Sequence, residues 1–450
     1  MKTYSYKTLL LLLSICLLWS CQKETTVNSG QDEELTSILD QASDGQGISF
    51  FLLPDSEDYT NIPQDPNNPI TKEKVELGKF LYHETGIAIN PENSISEGNF
   101  SCASCHFASA GFQAGRVQGM GEGGIGFGIN GEGRIKGSLY TEEMLDVQPI
   151  RSPSALNVAF QTNMLWNGQF GATGLNESTG YAWTEGTPKE ANNLGYEGIE
   201  TQAIAGLKVH RLEVNLEGMK ANQYVEYFKK AFPDLTEEES CTNEFGGLAI
   251  AAYERTLLAT QAPFQRWLKG EQNAMTALQK EGAILFFGKA QCNTCHTGPA
   301  LNKMEFHALG MKDLYQAREI TFKTNPKNSE NFGRGGFTGN EEDMFRFKTP
   351  QLYNLADSPF LGHGSSMRSV REVIEYKNRA IKENENVPES TLSPMFTPLG
   401  LNDAEITALT AFIEEGLRDP NLKRFEPSSL LSGQCFPFND PMAKSHLGCD

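Results

Sequence analysis

Two short stretches carry the chemistry of this chain: FSCASCHFAS (Phe100–Ser109) and AQCNTCHTG (Ala290–Gly298). Each sets two cysteines three residues apart and follows the second at once with a histidine. A disulfide, a zinc site and a haem are the three physical readings of that pattern. Zinc would need four ligands in one tetrahedron, but the two pairs lie far apart in the chain and each carries its own histidine. A redox-active CxxC belongs in a thioredoxin-like βαβ setting, and neither copy has one around it. C-x-x-C-H meets another geometry, in which the thiols form thioethers to the haem vinyl groups and the following histidine turns beneath as axial iron ligand. Two copies imply two covalent haem c groups. Cys102, Cys105 and His106 would hold the first, and Cys292, Cys295 and His296 the second.

The flanks supply elements that could position these residues. Ahead of Cys292, AMTALQKEGAILFFGKAQ places Leu278, Ala283, Leu285 and Phe286 on one side of an amphipathic helix, with Gly282 allowing close packing. Downstream, LNDAEITALTAFIEEGL offers Asn402 or Asp403 as N-cap, then Ile406, Leu409, Phe412, Ile413 and Leu417 as one apolar stripe. The first copy repeats the arrangement, with VELGKFLYHETG before Cys102 and FGGLAIAAYERTLLAT (Phe245–Thr260) far after it. Strand-like alternation is scarce. The expected fold is mainly α: two cytochrome c-like haem domains packed against each other, over 47–265 and 266–425, joined near Gln261–Gly270, with a tail over 426–450.

The chain has 450 residues and a formal charge of −19, which argues against nucleic acid and anionic membrane surfaces as partners. Lys2, Lys7 and the apolar run Leu9–Trp19 read as an export signal over 1–20, too short to span a bilayer. Leu18-Trp19-Ser20-Cys21 resembles a lipoprotein signal, which predicts lipidation at Cys21, a polar tether over 21–46 and a periplasmic or outer-membrane-anchored location. An ordinary secreted, soluble protein is the alternative. Of nine cysteines, Cys435 and Cys449 could close a small loop, and Cys241 would then be unpaired.

With LGKFLYHETGIA, RSPSALNVAF, MLWNGQF, ETQAIAGLKVHRLEV, AIAAYERTLL and RFKTPQLYNLADSPFLGHG beside the two CxxCH copies, the chain resembles the bacterial di-haem cytochrome c peroxidase family, which includes MauG. The likeness runs from about Pro69 to Leu417. It implies a peroxidatic N-terminal haem and an electron-storing C-terminal haem, with hydrogen peroxide reduced to water. Electrons would come from a small redox protein of the cytochrome c or cupredoxin type, and a homodimer is common in the family.

By the same resemblance Glu213 takes the place of the catalytic glutamate, Gln202 that of its companion glutamine, and Trp166 that of the tryptophan between the haems. One extra residue stands between Gln202 and Gly206. No histidine lies between His106 and His210, so the first haem is expected to be open or closed by another group such as Met120. The distal ligand of the second haem falls on Lys377 or Tyr376. A calcium ion between the domains is a further family feature, although Arg151 stands where a ligand asparagine is expected, with Asp357 and Pro359 on its other side. Two rival readings remain: a MauG-like enzyme oxidising residues of a partner protein, and a di-haem electron carrier without catalysis. GEGGIG (Gly121–Gly126) satisfies a nucleotide-loop pattern but follows no strand, so a mobile loop near the haem pocket is expected there. His83 is expected at the surface or in a structural role, His307 at a haem propionate or in packing, and His446 carries no signal.

Overall fold

A computed structural model describes residues 29–449. The segment expected as an export signal, with Cys16, and Cys21, where lipidation is expected, lie outside the described residues. The chain is rich in helices, with short 3-10 turns and two small two-stranded ladders. The helices that matter here are α1 (Ser29–Ala42), α2 (Lys72–His83), α3 (Gly198–Val209), α4 (Asn243–Arg255), α5 (Pro263–Leu268), α6 (Ala277–Phe287), α7 (Val370–Arg379), α8 (Asp403–Ala411) and α9 (Pro441–Leu447). The strands are β1 (Gly124–Ile125) with β2 (Ile135–Lys136), and β3 (Lys303–His307) with β4 (Phe347–Thr349), both pairs antiparallel.

One arrangement occurs twice. Helix α2 leads to the first CxxCH and crosses α4; helix α6 leads to the second and crosses α8. Each crossing is made by a glycine at the point of contact. A Cβ on Gly78 would come within 1.9 Å of the Ala249 carbonyl oxygen, and one on Gly282 within 2.0 Å of that of Ala408. Backbone meets backbone there, so any side chain would push the helices apart. Thr71 caps α2, Thr276 caps α6 and Asn402 caps α8, each accepting from a backbone N–H of the first turn. The stripe Ile406, Leu409, Phe412, Ile413 and Leu417 is buried as expected, whereas Leu278 faces solvent and Lys280 takes an inward position instead.

The tether expected over 21–46 is corrected by α1. Leu35 and Leu39, one turn apart, are fully buried, and Asp32 pairs with Lys280 at 2.6 Å and accepts from the Trp267 indole at 2.7 Å. The segment's polar composition concealed a two-leucine stripe that is enough to dock a helix on α6. The expected joint is likewise no loose linker. It holds α5, whose Phe264, Gln265, Trp267 and Leu268 are buried in a core continuous across both copies.

The C-terminal tail is a strap across the first copy. Cys435 and Cys449 form a disulfide, Phe438 bridges to Phe100, and the Ser104 hydroxyl donates to the Pro437 carbonyl at 2.7 Å. Asp440 pairs with buried Arg134 at 3.1 Å, and that guanidinium lies 3.4 Å from the Phe438 ring centroid. His446, silent in the sequence, accepts at Nδ1 from the backbone N–H groups of Phe127 and Gly128.

Candidate haem-binding site

In the first copy Cys102–Ser104 form a short 3-10 turn that sets Cys102, Cys105 and His106 on one loop. His106 Nδ1 faces the Phe112 carbonyl at 3.3 Å, and the Tyr82 hydroxyl donates to the His106 carbonyl at 2.8 Å. Burial pushes the His106 imidazole down to about 4, so it stays neutral and able to ligate. In the second copy His296 Nδ1 lies 3.1 Å from the carbonyls of both Leu301 and Pro350. Burial, with Lys377 nearby, pushes it down to about 3. Both rings therefore have Nδ1 tied to backbone oxygen, the arrangement that leaves Nε2 for a metal.

Two features test the fit of a large prosthetic group. A cavity of about 290 Å³ is lined by Cys292, Cys295, His296, Lys377, Met395 and Trp166, among largely apolar neighbours. Beside the first copy, Arg116 Nη1 is buried without any hydrogen-bond partner among the described residues, as a nitrogen awaiting an anionic group would be. The donor set fits haem c at both places, two thiols and a neutral imidazole in each, and the cavity fits it at the second; these residues would hold the group, whose iron supplies redox chemistry.

Between the copies lies a reciprocal contact that the sequence reading missed. Arg151, Pro153, Asn157 and Trp166 recur at the same mutual spacing as Lys348, Pro350, Asn354 and His363. Both asparagines adopt the left-handed conformation, at φ 58° and 56°. Met164 bridges to Phe170 and Leu361 to Met367, closing two matching loops that present Trp166 and His363. The Arg151 N–H donates to the His363 carbonyl at 2.9 Å, and the Lys348 N–H to the Trp166 carbonyl at 2.8 Å. The recurrent spacing was the signal that could have revealed this.

Arg151 and Lys348 are buried cations without a carboxylate partner. Arg151 donates to the Arg116 and Ala114 carbonyls, Gln113 Oε1 and Ser358 Oγ at 2.6–3.0 Å, and burial pushes it down to about 9. Lys348 donates to Gln161 Oε1 and the Asn163 carbonyl, and burial pushes it down to about 7. The guanidinium takes the oxygens a calcium ion would need. Asp357 is engaged by Arg418 at 2.7 Å and by Asn354 at 2.7 Å, and no cluster of three acidic, histidine or cysteine ligands occurs among the described residues. The residues present do not fit calcium.

Glu213 is half-buried on the extended segment after α3. Its carboxylate accepts from Asn215 Nδ2 at 3.0 Å and from Asn90 Nδ2, and those bonds hold it below the usual carboxylate range. Gln202 lies on α3 with no hydrogen bond to its side-chain amide among the described residues; the contacts present do not join it to Glu213. Met120 is fully buried with Tyr140, Leu145 and Val147. Tyr376 donates its hydroxyl to the Leu309 carbonyl at 2.5 Å and packs on Phe396. Lys377 lines the cavity instead, without a hydrogen bond or ion pair among the described residues, and burial lowers its pKa.

His83 is buried, with Nδ1 2.8 Å from the Lys79 carbonyl, a structural place and not a surface one. His307 lines the cavity with Nε2 3.7 Å from Cys295 Sγ. The expected mobile glycine loop is instead pinned: buried Glu122 accepts from the backbone of Glu92 and Asn93 and from Arg211, and Arg134 donates to the carbonyls of Met120, Gly121 and Gly126.

Residues 72–273 match the family described as di-haem cytochrome c peroxidase. Over most of its length the chain is similar to bacterial di-haem cytochrome c peroxidases and to MauG. Cytochrome c peroxidase Ccp of Escherichia coli (strain K12) is 28% identical over 74% of this chain, which spans only 60% of that protein's length. Methylamine utilization protein MauG of Methylorubrum extorquens is also 28% identical, over 82% of this chain and 84% of that protein. Among solved structures, a MauG-like protein associated with microbial copper homeostasis aligns with a TM-score of 0.56 at 21% identity, covering 82% of this chain and 95% of that one. The diheme peroxidase BthA from Burkholderia thailandensis aligns at 0.50 and 16%, over 80% and 89%. These likenesses concern the fold.

Proposed function

We propose that this chain carries two covalent haem c groups in two packed domains and reduces hydrogen peroxide to water with electrons from a small redox protein. His106 and His296 are the proximal ligands, bound through Cys102, Cys105, Cys292 and Cys295. The observation that carries the reading is the twice-occurring CxxCH loop, each with its histidine Nδ1 tied to a backbone carbonyl. When bound, the two irons supply the electrons that peroxide cleavage consumes. Glu213 takes a proton from the bound peroxide, a task suited to a carboxylate kept ionised by two amide donors. Gln202, with an amide free of protein partners, orients the substrate. Trp166, packed on His363 between the two loops, carries electrons between the copies.

Lys377, whose amine lines the second cavity without a protein partner among the described residues, would hold the second haem on its other side; Tyr376 has its hydroxyl engaged elsewhere. That engagement removes the oxygen ligand on which a MauG-like oxidation of partner residues would draw, and so favours peroxide as substrate. The protein is exported and anchored through a lipid on Cys21; no helix among the described residues is long and apolar enough to cross a membrane. Association as a homodimer follows the family habit. The deciding experiment is peroxide-dependent oxidation of a reduced donor by wild type and Glu213→Gln, each fully oxidised and half-reduced. Rapid turnover that collapses in the variant supports the peroxidase. Proteins inert in both states, with haems that still cycle, would return the function to electron carriage or partner oxidation.

A further inference from the structure

His210 lies on the turn between α3 and Glu213, where the family resemblance assigned it no task. Its Nδ1 is 2.9 and 3.0 Å from the two carboxylate oxygens of Asp146. Asp146 is itself fixed: its N–H donates to the Glu122 carbonyl and its carbonyl accepts from the Gly121 N–H, both at 3.0 Å. Its carboxylate lies so close to Gly121 that a Cβ there would meet Oδ2 at 2.4 Å. Two residues back, a Cβ on Gly119 would meet Cys105 Sγ at 2.8 Å. An unbroken set of contacts thus runs from the first CxxCH through the glycine loop to Asp146 and His210.

An aspartate on Nδ1 fixes the tautomer and leaves Nε2 as the exchangeable nitrogen. No described residue hydrogen-bonds His210 Nε2. The side chain is 35% exposed while Asp146 is 6% exposed, so the imidazole is reachable from solvent and its orienting carboxylate is not. Burial lowers the imidazole's pKa, yet the charge and hydrogen bond of Asp146 together outweigh it and set the group above its ordinary value. Arg211 opposes this from the same turn, with its guanidinium held by Glu122, Glu92 and the Met144 carbonyl. His106 feels the His210 charge in return.

Glu213 differs in kind. Its amide donors favour the ionised form, which makes it a good proton acceptor and a poor proton donor. Reducing one peroxide to two waters breaks the O–O bond and consumes two electrons and two protons. One oxygen must be deprotonated as it engages, and the departing oxygen must be protonated as it leaves.

We propose that His210, oriented by Asp146, is the proton donor of the first CxxCH site and works beside Glu213. This rests on the peroxidase reading above. The Nε2 proton passes to the departing hydroxide to form the first water. The proton taken by Glu213 and one more from solvent turn the remaining oxygen into the second water, the two electrons come ultimately from the small redox protein, and His210 is reprotonated from solvent. Asp146 is a positioning residue.

The test uses the haem-loaded protein, fully oxidised and half-reduced, mixed rapidly with hydrogen peroxide between pH 5 and 9. Wild type, His210→Gln and Asp146→Asn are compared, with the resting absorption and electron spin resonance spectra recorded for each. His210→Gln is expected to slow the peroxide reaction by about 10²–10⁴-fold and to lose one ionisation from the pH profile. Asp146→Asn, isosteric and the safer variant for folding, is expected to keep part of the rate while that ionisation moves to lower pH. Both resting spectra stay as in wild type. A His210→Gln rate within about threefold of wild type with an unchanged profile overturns the proposal. So does a changed resting spectrum in that variant, which would make His210 an iron ligand. Wild type that ignores peroxide in both redox states overturns the peroxidase reading itself, a result separable from either.

Discussion

Trp166 and His363 face each other edge to face, with ring centroids 6.3 Å apart and planes 67° from parallel. They stand at the same place in two matching loops, and each loop's carbonyl receives an N–H from the other copy's buried cation. The Trp166 indole also donates to the Arg151 carbonyl at 2.8 Å, so its orientation is tied to the backbone. Trp166→Phe is expected to slow electron transfer between the copies, read by rapid mixing of a half-reduced protein. Thermal unfolding should fall by about 1 kcal/mol, the usual worth of one hydrogen bond. Unchanged transfer in the variant would remove Trp166 from the route.

Arg151 fills with its guanidinium the oxygen-lined space that might otherwise suit a divalent ion. Chelators are therefore expected to leave both the melting temperature and the turnover of the loaded protein where they were. Arg151→Met leaves the Arg116 carbonyl, Gln113 Oε1 and Ser358 Oγ without their donor and is expected to cost at least about 3 kcal/mol, measured by denaturant unfolding. A melting temperature that falls on adding EGTA would restore calcium to the fold.

Lys377 and Tyr376 are adjacent on α7 yet serve different surroundings. Tyr376 is spent on the Leu309 carbonyl, and Lys377 looks into the cavity of the second CxxCH. Lys377→Met is expected to change that haem's absorption spectrum and to raise its potential, since a thioether favours the reduced iron more than an amine does. Tyr376→Phe should leave the spectrum alone and cost only stability. A redox titration of both variants decides between them.

Much of this was legible because CxxCH, capping residues and apolar stripes act locally. Asn402 and the stripe ending at Leu417 do what their spacing says. What escaped depends on partners distant in sequence. Two leucines in a polar stretch dock α1 only because α6 offers a groove, with Lys280 beside it to pair with Asp32. The strap after Glu426 shows no periodicity at all. It is held by Asp440 on Arg134 and by His446 on two backbone N–H groups, contacts that no local pattern encodes. The reciprocal loops were readable in principle, but Trp166 and His363 share no chemistry, so the repeat was masked at its most important position.

The strap gives a direct stability test. Arg134 is nearly inaccessible, and burial lowers its pKa to about 10 despite Asp440, its partner at 3.1 Å. Asp440→Ala would leave that cation unpaired beneath Phe438. A loss of about 3–5 kcal/mol is expected, together with release of the strap, read as faster proteolysis after Leu430. The double variant Arg134→Met/Asp440→Leu should recover much of the loss. Equal stability of the single variant and wild type would mean that water reaches the pair.

Glu254, on the inner face of α4, is a carboxyl whose ionisation the fold resists. Its side chain is buried, Oε2 has no hydrogen-bond partner among the described residues, and burial, with Glu200 nearby, pushes it up to about 8. A carboxyl with a raised native value is neutral in the folded chain and ionised in the unfolded one between the two values. Its stabilising contribution is complete below about pH 4.5 and is lost as the pH rises through about 8. Wild-type stability is expected to decline across that window by up to about 1.4 kcal/mol per pH unit from this group alone. Glu254→Gln, neutral at every pH, should remove that slope and be the more stable protein at pH 8. Denaturant unfolding at pH 5, 6.5 and 8 measures it, and parallel slopes for the two proteins would show that Glu254 is ionised in the folded chain.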